Sequence, residues 1–390
     1  MKFQQTALAL SLAALANGPV MADNGRADND RPIPRFDHVF VIVMENHAYD
    51  QIISNTHPEV APFINSYAKS ANLATNYFGV GHPSLTNYLE IVGGSNFGVI
   101  NDFSPDWHNT TCTPNIVSRA PAREDATADI CPISGIGVDG ETPAVDTTNE
   151  GSPASPVFND YLAPAHTVGK MIADQLVEHG MRWKAYQENL PPYGADGVNN
   201  SDGLISDLTA KEPGMPKLYA VKHNPFVYFA SVQTGNHPHN SLKNIVGFDS
   251  LYSDLASDQV PDFSFISPNQ CHDQHGRGPS EMGSGCSVDA NAILQGDAAL
   301  QTLVTAIKGS AVWKRGNNVI VTVWDENDYG TEPNQVVTIV DTNYGTKGIA
   351  SNQKYNHFSL LKTLEAGFGL EYLNHAGDKD VHLMSDLFSR

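Results

Sequence analysis

The sequence predicts an α/β fold, a three-layer α/β/α sandwich around a mostly parallel sheet. Three observations carry that prediction. Apolar, β-branched runs of strand length recur along the chain, the first being HVFVIVM at 38–44. Each ends abruptly in polar residues, and stretches with helical spacing of apolar residues separate them. Runs that are apolar throughout mark strands covered on both faces, and helices between such strands act as crossovers in a parallel sheet. No internal repeat or second core interrupts this rhythm, so residues 36–390 read as one domain.

The elements follow in order. Residues 1–22 read as a signal peptide: Lys2 is the lone charge, ALALSLAALA is an apolar run, and Val20-Met21-Ala22 is a small-residue cleavage site. Residues 23–35 are a polar, flexible leader. After the strand at 38–44, PFINSYAKSA (62–71) has helical periodicity. FGVGHPSLTNYLEIVGG (78–94) then places a serine at the mouth of a short apolar helix closed by two glycines. Residues 101–157, rich in Gly, Pro, Asp and Thr, read as an irregular insertion. A helix at 166–180 carries Val168, Met171, Ile172, Leu176 and Val177 on one stripe. Strands are expected at Trp183–Tyr186, Tyr219–Lys222, Phe263–Ile266 and Asn318–Val323. A helix places Leu300, Leu303, Val304 and Ile307 on one face, and a last amphipathic helix follows His357.

Composition narrows the partners. The chain has 390 residues, of which 41% are hydrophobic, enough for a large core. Against 43 acidic residues stand 23 Lys and Arg, for a formal net charge of −20. That balance disfavours nucleic acid and anionic lipid surfaces as electrostatic partners. An anionic substrate would need a local positive centre, and with few cationic side chains a bound metal ion supplies one economically. No stretch approaches the ~20 apolar residues of a transmembrane helix. Four cysteines suit two disulfides in an exported protein, with Cys112–Cys131 and Cys271–Cys286 the simplest of three pairings. Asn109 and Asn199 head glycosylation sequons. The sequence sets no oligomeric state.

Polar clusters sit at the expected element ends: Glu45/Asn46, Ser84, His223/Asn224, His272/Asp273/His275, Asp325/Glu326 and His357. An α/β fold gathers the carboxyl ends of its parallel strands along one edge, where sites form. Each cluster has a plainer reading. Ser84 is either a helix cap or a nucleophile favoured by the helix N-terminus. Asp325-Glu326 alone would be a solvated turn, the HDQH segment a polar loop and His357 a cap.

Six blocks in this order, HVFVIVMENHAYDQI, GHPSLTNYLEIVGG, YAVKHNPF, ISPNQCHDQH, VTVWDENDYG and NHFSLLKTLE, resemble the phosphoesterase family. That family joins bacterial phospholipases C with secreted acid phosphatases inside the alkaline-phosphatase-like superfamily. The resemblance runs from about His38 to the C-terminus, interrupted by 101–157. It implies that Glu45 and Asn46 ligate an active-site metal, and that Ser84 is a nucleophile which becomes phosphorylated and also contacts the metal. Asp325 and Glu326 fall on the acidic pair completing the metal site; some relatives carry Asp-Asp there. His223, His275 and His357 lie in blocks that supply histidines around the phosphate, and Asn87 either helps hold it or is structural.

The chemistry agrees. Phosphate monoester hydrolysis calls for accelerations up to ~10²¹, whereas general acid–base catalysis supplies about 10²–10⁴. A metal that lowers the serine pKa and screens the phosphoryl oxygens closes part of that gap. The implied oxygen-rich ligand set favours Ca²⁺, Mg²⁺ or Mn²⁺, with Zn²⁺ admitted if histidines join. The HPS block and the lack of an obvious appended lipid-binding domain favour the acid-phosphatase branch. The expected enzyme is secreted or periplasmic, acting on small phosphate monoesters that include phosphoinositide headgroups. Alternatives are a phospholipase C-type phosphodiesterase and a metal-independent serine esterase, although no GxSxG elbow surrounds Ser84.

Overall fold

HVFVIVM lies at the middle of an eight-stranded sheet in the computed structural model, which describes residues 32–97, 102, 169–190, 200–201, 218–229, 231–232, 235, 237–276, 289–329 and 333–389. The strands are β1 (His38–Met44), β2 (Asn72–Ala74), β3 (Trp183–Gln187), β4 (Ile245–Gly247), β5 (Phe263–Ser267), β6 (Asn318–Trp324), β7 (Thr338–Thr342) and β8 (Ala350–Ser351). Their order is β8-β2-β7-β6-β1-β5-β3-β4. The five from β6 to β4 run parallel. β7 is antiparallel to both its neighbours, and β8 pairs parallel with β2. The mostly parallel α/β sheet expected from the sequence is therefore present.

Residues 39–44 of β1 are inaccessible to solvent, which is why they can be apolar without alternation. The main helices are α1 (Pro62–Ser70), α2 (Ser84–Gly93), α3 (Ile172–Glu178), α4 (Phe248–Ser257), α5 (Asp289–Gly309) and α6 (His357–Phe368). They associate in two groups: α2, α3 and α6 pack together, and α5 packs against α1 and α4. All ten residues of α2 are buried. It stops at Gly94, whose φ of +71° needs a glycine and whose Cβ, if added, would lie 2.6 Å from the Leu373 carbonyl.

Register fixes the sheet edge that matters. Met44 pairs with Trp324 and Ile42 with Ile266, so β1, β5 and β6 end side by side. The Asp325 N–H donates to the Met44 carbonyl at 3.0 Å, and the Glu45 N–H to the Asp273 carbonyl at 2.7 Å. Glu45, Asp273 and Asp325 thus emerge together.

Several expectations need correction. Tyr219–Lys222 is not a strand of the main sheet: Tyr219–Ala220 pairs with Asn200–Ser201, and Val221–His223 forms a 3₁₀ turn. Successive side chains of an extended strand diverge to opposite faces, whereas this turn lets Lys222 and His223 reach one site. The 166–180 helix is helical over Ile172–Glu178. The helix through Leu300 begins earlier, at Asp289, and ends at Gly309, leaving Trp313 in a 3₁₀ turn. Cys271 is disulfide-bonded. Cys112, Cys131 and Cys286, the signal peptide, both sequon asparagines and all of the 101–157 insertion except Asp102 lie outside the described residues.

α1 has no cap of its own: Ala61 occupies the N-cap position. Asp297 of α5 substitutes, its carboxylate accepting from the Ile64 N–H at 2.8 Å and the Phe63 N–H at 3.1 Å. Asp297→Ala strands two donors at a helix start and should lower stability by about 1–2 kcal/mol. Urea unfolding measures it, and an unchanged midpoint would show that the cap contributes nothing.

Candidate active site

Ser84 is the first residue of α2, one position after the N-cap, Pro83. It is therefore not the cap. Its hydroxyl is 3.0 Å from Glu45 Oε2 and 3.1 Å from Glu326 Oε1. A serine hydroxyl has one hydrogen, so it can donate to only one of the two carboxyl groups at a time.

Glu326 is the more crowded of the two. His82 Nδ1 lies 2.5 Å from its Oε2, the Tyr329 hydroxyl donates to Oε1 at 3.2 Å, and Asn87 Nδ2 approaches Oε2 at 3.5 Å. The His82 and Tyr329 rings pack at a tilt, with centroids 4.1 Å apart and planes at 31°. Asp325 is different. Its Oδ1 accepts from the Asn46 N–H at 3.3 Å, while its Oδ2 is buried without a hydrogen-bond partner.

On the other side of Glu45, His223 Nε2 lies 3.1 Å from Glu45 Oε1, and its Nδ1 lies 3.1 Å from Asp273 Oδ2. The ring stacks on Tyr88 at 5.3 Å and 5°. His275 donates from Nδ1 to its neighbour's carbonyl at 2.8 Å, which leaves Nε2 with a lone pair 3.3 Å from Lys222 Nζ. One candidate ligand atom each from Glu45, His223 and His275 lie within 4.8 Å of one another. Lys222 Nζ also reaches Ser84 Oγ at 3.4 Å and Asp102 Oδ2 at 2.9 Å.

The electrostatics are dominated by carboxylates that lack water. Burial pushes Glu45 up to about 8, opposed by Lys222 and reinforced by Glu326. Burial, then the charge of Glu45, raises Asp273 and Asp325 well above the ordinary range. Burial also raises Glu326, against the pull of His82. Burial disfavours the Lys222 ammonium, but Asp102, Glu45 and Glu326 outweigh it and its pKa is raised.

Four buried carboxylates facing one ammonium call for more positive charge, and the unpartnered Asp325 Oδ2 shows where a donor is available. A divalent cation fits. Glu45, His223 and His275 would hold it, and Asp273 behind His223 is the carboxylate partner that commonly orients a ligating imidazole. This donor set adds histidine nitrogens to the oxygen-rich set expected. Asn46 contributes its backbone N–H to Asp325 and is half-buried.

Two residues expected around the phosphate, His357 and Asn87, make most of their contacts with backbone. His357 is fully buried, with Nε2 2.6 Å from the Asp325 carbonyl and Nδ1 3.0 Å from the Tyr77 hydroxyl; burial lowers its pKa to about 4. It is a neutral clamp on the Asp325 backbone, not a group at the serine. Asn87 Oδ1 accepts from the Val80 and Gly81 N–H groups at 3.0 and 3.1 Å, and Nδ2 donates to the Gly81 carbonyl at 2.7 Å. That use is structural.

Sequence reasoning missed Lys222, Asp102, His82, Tyr329 and the orienting part of Asp273. Lys222 did leave a signal, as a lone cation closing an apolar run in an acidic chain. Tyr329 and Asp102 left none.

A model described as the Phosphoesterase family matches residues 53–371. A phosphatidylinositol-3-phosphatase of Mycobacterium tuberculosis is 27% identical over 88% of this chain and 81% of its own length. A probable acid phosphatase of Kluyveromyces lactis is 25% identical over 89% of this chain but 62% of its own length. A phosphate-repressible acid phosphatase of Penicillium chrysogenum is 25% identical over 80% and 55%. A solved alkaline phosphatase superfamily protein from Vibrio parahaemolyticus is similar at 12% identity and a TM-score of 0.45, covering 88% of this chain and 69% of the other.

The raised carboxyl pKa values predict how metal-free protein responds to pH. A carboxyl that holds its proton in the folded state and loses it on unfolding loses stability as pH rises from its unfolded pKa to its folded one. For Glu45 that window runs from 4.5 to about 8, and Asp273, Asp325 and Glu326 act in the same direction. Chelator-treated protein should therefore have a Tm that falls from pH 5 to pH 8. Added Mn²⁺, Mg²⁺, Ca²⁺ or Zn²⁺ should raise Tm more at pH 8 than at pH 5. A Tm indifferent to every ion at pH 8 would exclude the cation site.

Proposed function

From the premise that this chain belongs to the Phosphoesterase family, we propose that it is a phosphoric monoester hydrolase that works through a phosphoserine at Ser84. The observation that carries the reading is the Ser84 hydroxyl shared between Glu45 and Glu326 at the start of α2. A serine whose proton already faces carboxylates of raised proton affinity is activated as a nucleophile.

In the first half of the reaction, Ser84 Oγ bonds to phosphorus while its proton passes to the carboxylate pair. The bond to the ester oxygen breaks, and the alcohol leaves with a proton taken from solvent. In the second half, water attacks phosphorus from the vacated side and gives up its proton to solvent. The Ser84–phosphorus bond then breaks and the hydroxyl recovers its hydrogen from the carboxylates. A divalent cation held by Glu45, His223 and His275 would screen the phosphoryl oxygens and lower the hydroxyl pKa.

The acid phosphatases and the phosphatidylinositol-3-phosphatase among the relatives support small phosphate monoesters and phosphoinositide headgroups as the substrate class. Export through residues 1–22 belongs to the same reading. Among the described residues, no helix is long and apolar enough to cross a membrane.

Labelled phosphate from a monoester should be trapped on wild type and not on Ser84→Ala, which should lose roughly 10³-fold or more in kcat. Equal labelling would sink the phosphoserine. Release of phosphate from p-nitrophenyl phosphate, with no diacylglycerol from phosphatidylcholine, is the expected substrate split; the reverse result would make the protein a phospholipase C-type diesterase. Gly79→Ala tests the clamp on Asp325, because the new Cβ would lie 2.7 Å from the Asp325 carbonyl oxygen. A displaced backbone there should cost about tenfold or more in kcat/KM. Full activity would show that Asp325 need not be held in place.

A further inference from the structure

We propose that Lys222 is the cation that holds the transferred phosphoryl group, and that Asp102 is its exchangeable counter-ion, a carboxylate that stands in for phosphate until substrate arrives. The proposal rests on the reading of Ser84 as the phosphoryl acceptor.

Lys222 Nζ sits 3.4 Å from Ser84 Oγ, so an oxygen of any group bonded to Ser84 comes within its reach. Its other neighbours are Asp102 Oδ2 at 2.9 Å and His275 Nε2 at 3.3 Å. The second oxygen of Asp102 accepts from the Leu85 N–H at 3.0 Å. One carboxylate therefore spans an ammonium and a backbone donor, both adjoining the nucleophile. Two oxygens of a phosphoryl group on Ser84 would be satisfied by the same pair of donors.

Asp102 differs from the other acids of the site. Glu45, Asp325 and Glu326 are buried where β1 and β6 end, and each takes a bond from Ser84 or from a neighbouring backbone. The Asp102 side chain is 32% exposed and lies outside the sheet. A partly exposed ion pair costs little to open, and a phosphate dianion offers Lys222 more charge than a monoanionic carboxylate does. In a chain of net charge −20, a cation beside the nucleophile that is held by an exchangeable anion resolves how an anionic substrate is admitted.

The two members of the pair should therefore act in opposite directions, which a merely structural salt bridge would not do. The measurement is calorimetric titration of inorganic phosphate into the full chain. Asp102→Asn should tighten phosphate binding about fivefold, because the competent state is no longer occupied by the carboxylate. Lys222→Met should weaken it by about tenfold, and the double variant should follow Lys222→Met. Asp328→Asn, which removes a charge two residues from Glu326 without touching Lys222, should change binding less than about twofold, as a screened charge does. Weaker or unchanged binding in Asp102→Asn overturns the proposal, as does an equal gain in Asp328→Asn. The Tm of each variant shows that it is folded, and the sign in Asp102→Asn decides the matter even if Lys222→Met does not fold. The readout is phosphate affinity, so turnover that survives in Ser84→Ala is a separate result that sinks the phosphoserine instead.

Discussion

One hydroxyl hydrogen held between two buried carboxylates is the constraint on which this molecule depends. Glu45 follows β1 and Glu326 follows β6, and the pairing of Met44 with Trp324 brings the two strand ends level. A slip of one residue would send Glu45 to the opposite face. Val39–Met44 and all of β6 are buried, and the polar residues that follow each run mark where it must stop. The interior of the sheet thereby sets a distance of about one hydrogen bond at its rim.

Negative charge in such a place is unfavourable unless it is paired. His82 approaches Glu326, His223 lies between Glu45 and Asp273, and Lys222 pairs with Asp102; a divalent ion would add to them. Around this inner set lies a ring of polar residues whose contacts are with backbone. His357 grips the Asp325 carbonyl, and Asn87 staples residues 80 and 81. Asn334 bridges the Asn327 N–H and the Gly81 carbonyl, at 2.8 and 3.2 Å. These residues join the loop before Ser84 to the loop after β6, so the nucleophile and its acceptors move as one body.

The parts legible in the sequence were those with a long-range signature. β1, β5 and β6 showed as unbroken apolar runs, and their polar ends gave Glu45, Asp325 and Glu326. Ser84 is legible as a serine at the mouth of a buried helix, but that Pro83 and not Ser84 takes the N-cap position shows only in the backbone. β2, β4 and β8 have three residues or fewer, too few for any period to register. β7 was hidden by its composition: of its five buried residues, Thr338, Asp341 and Thr342 are polar, and Asp341 is tolerated because Lys308 at 2.5 Å and Lys347 pair with it. Lys222 was read as a strand end because the turn that redirects it depends on contacts distant in sequence. The difference between a histidine beside Lys222 and one against the Asp325 carbonyl, His275 and His357, is likewise a matter of tertiary contact.

The sheet also terminates itself. Its outermost strands are Ala350–Ser351 and Ile245–Gly247, two and three residues long, while the long hydrophobic strands lie inside. An edge that short presents almost no ladder of free N–H and C=O groups for another chain to extend. Among the described residues, the sheet sides therefore offer little for strand addition, although the centre of the sheet is so apolar.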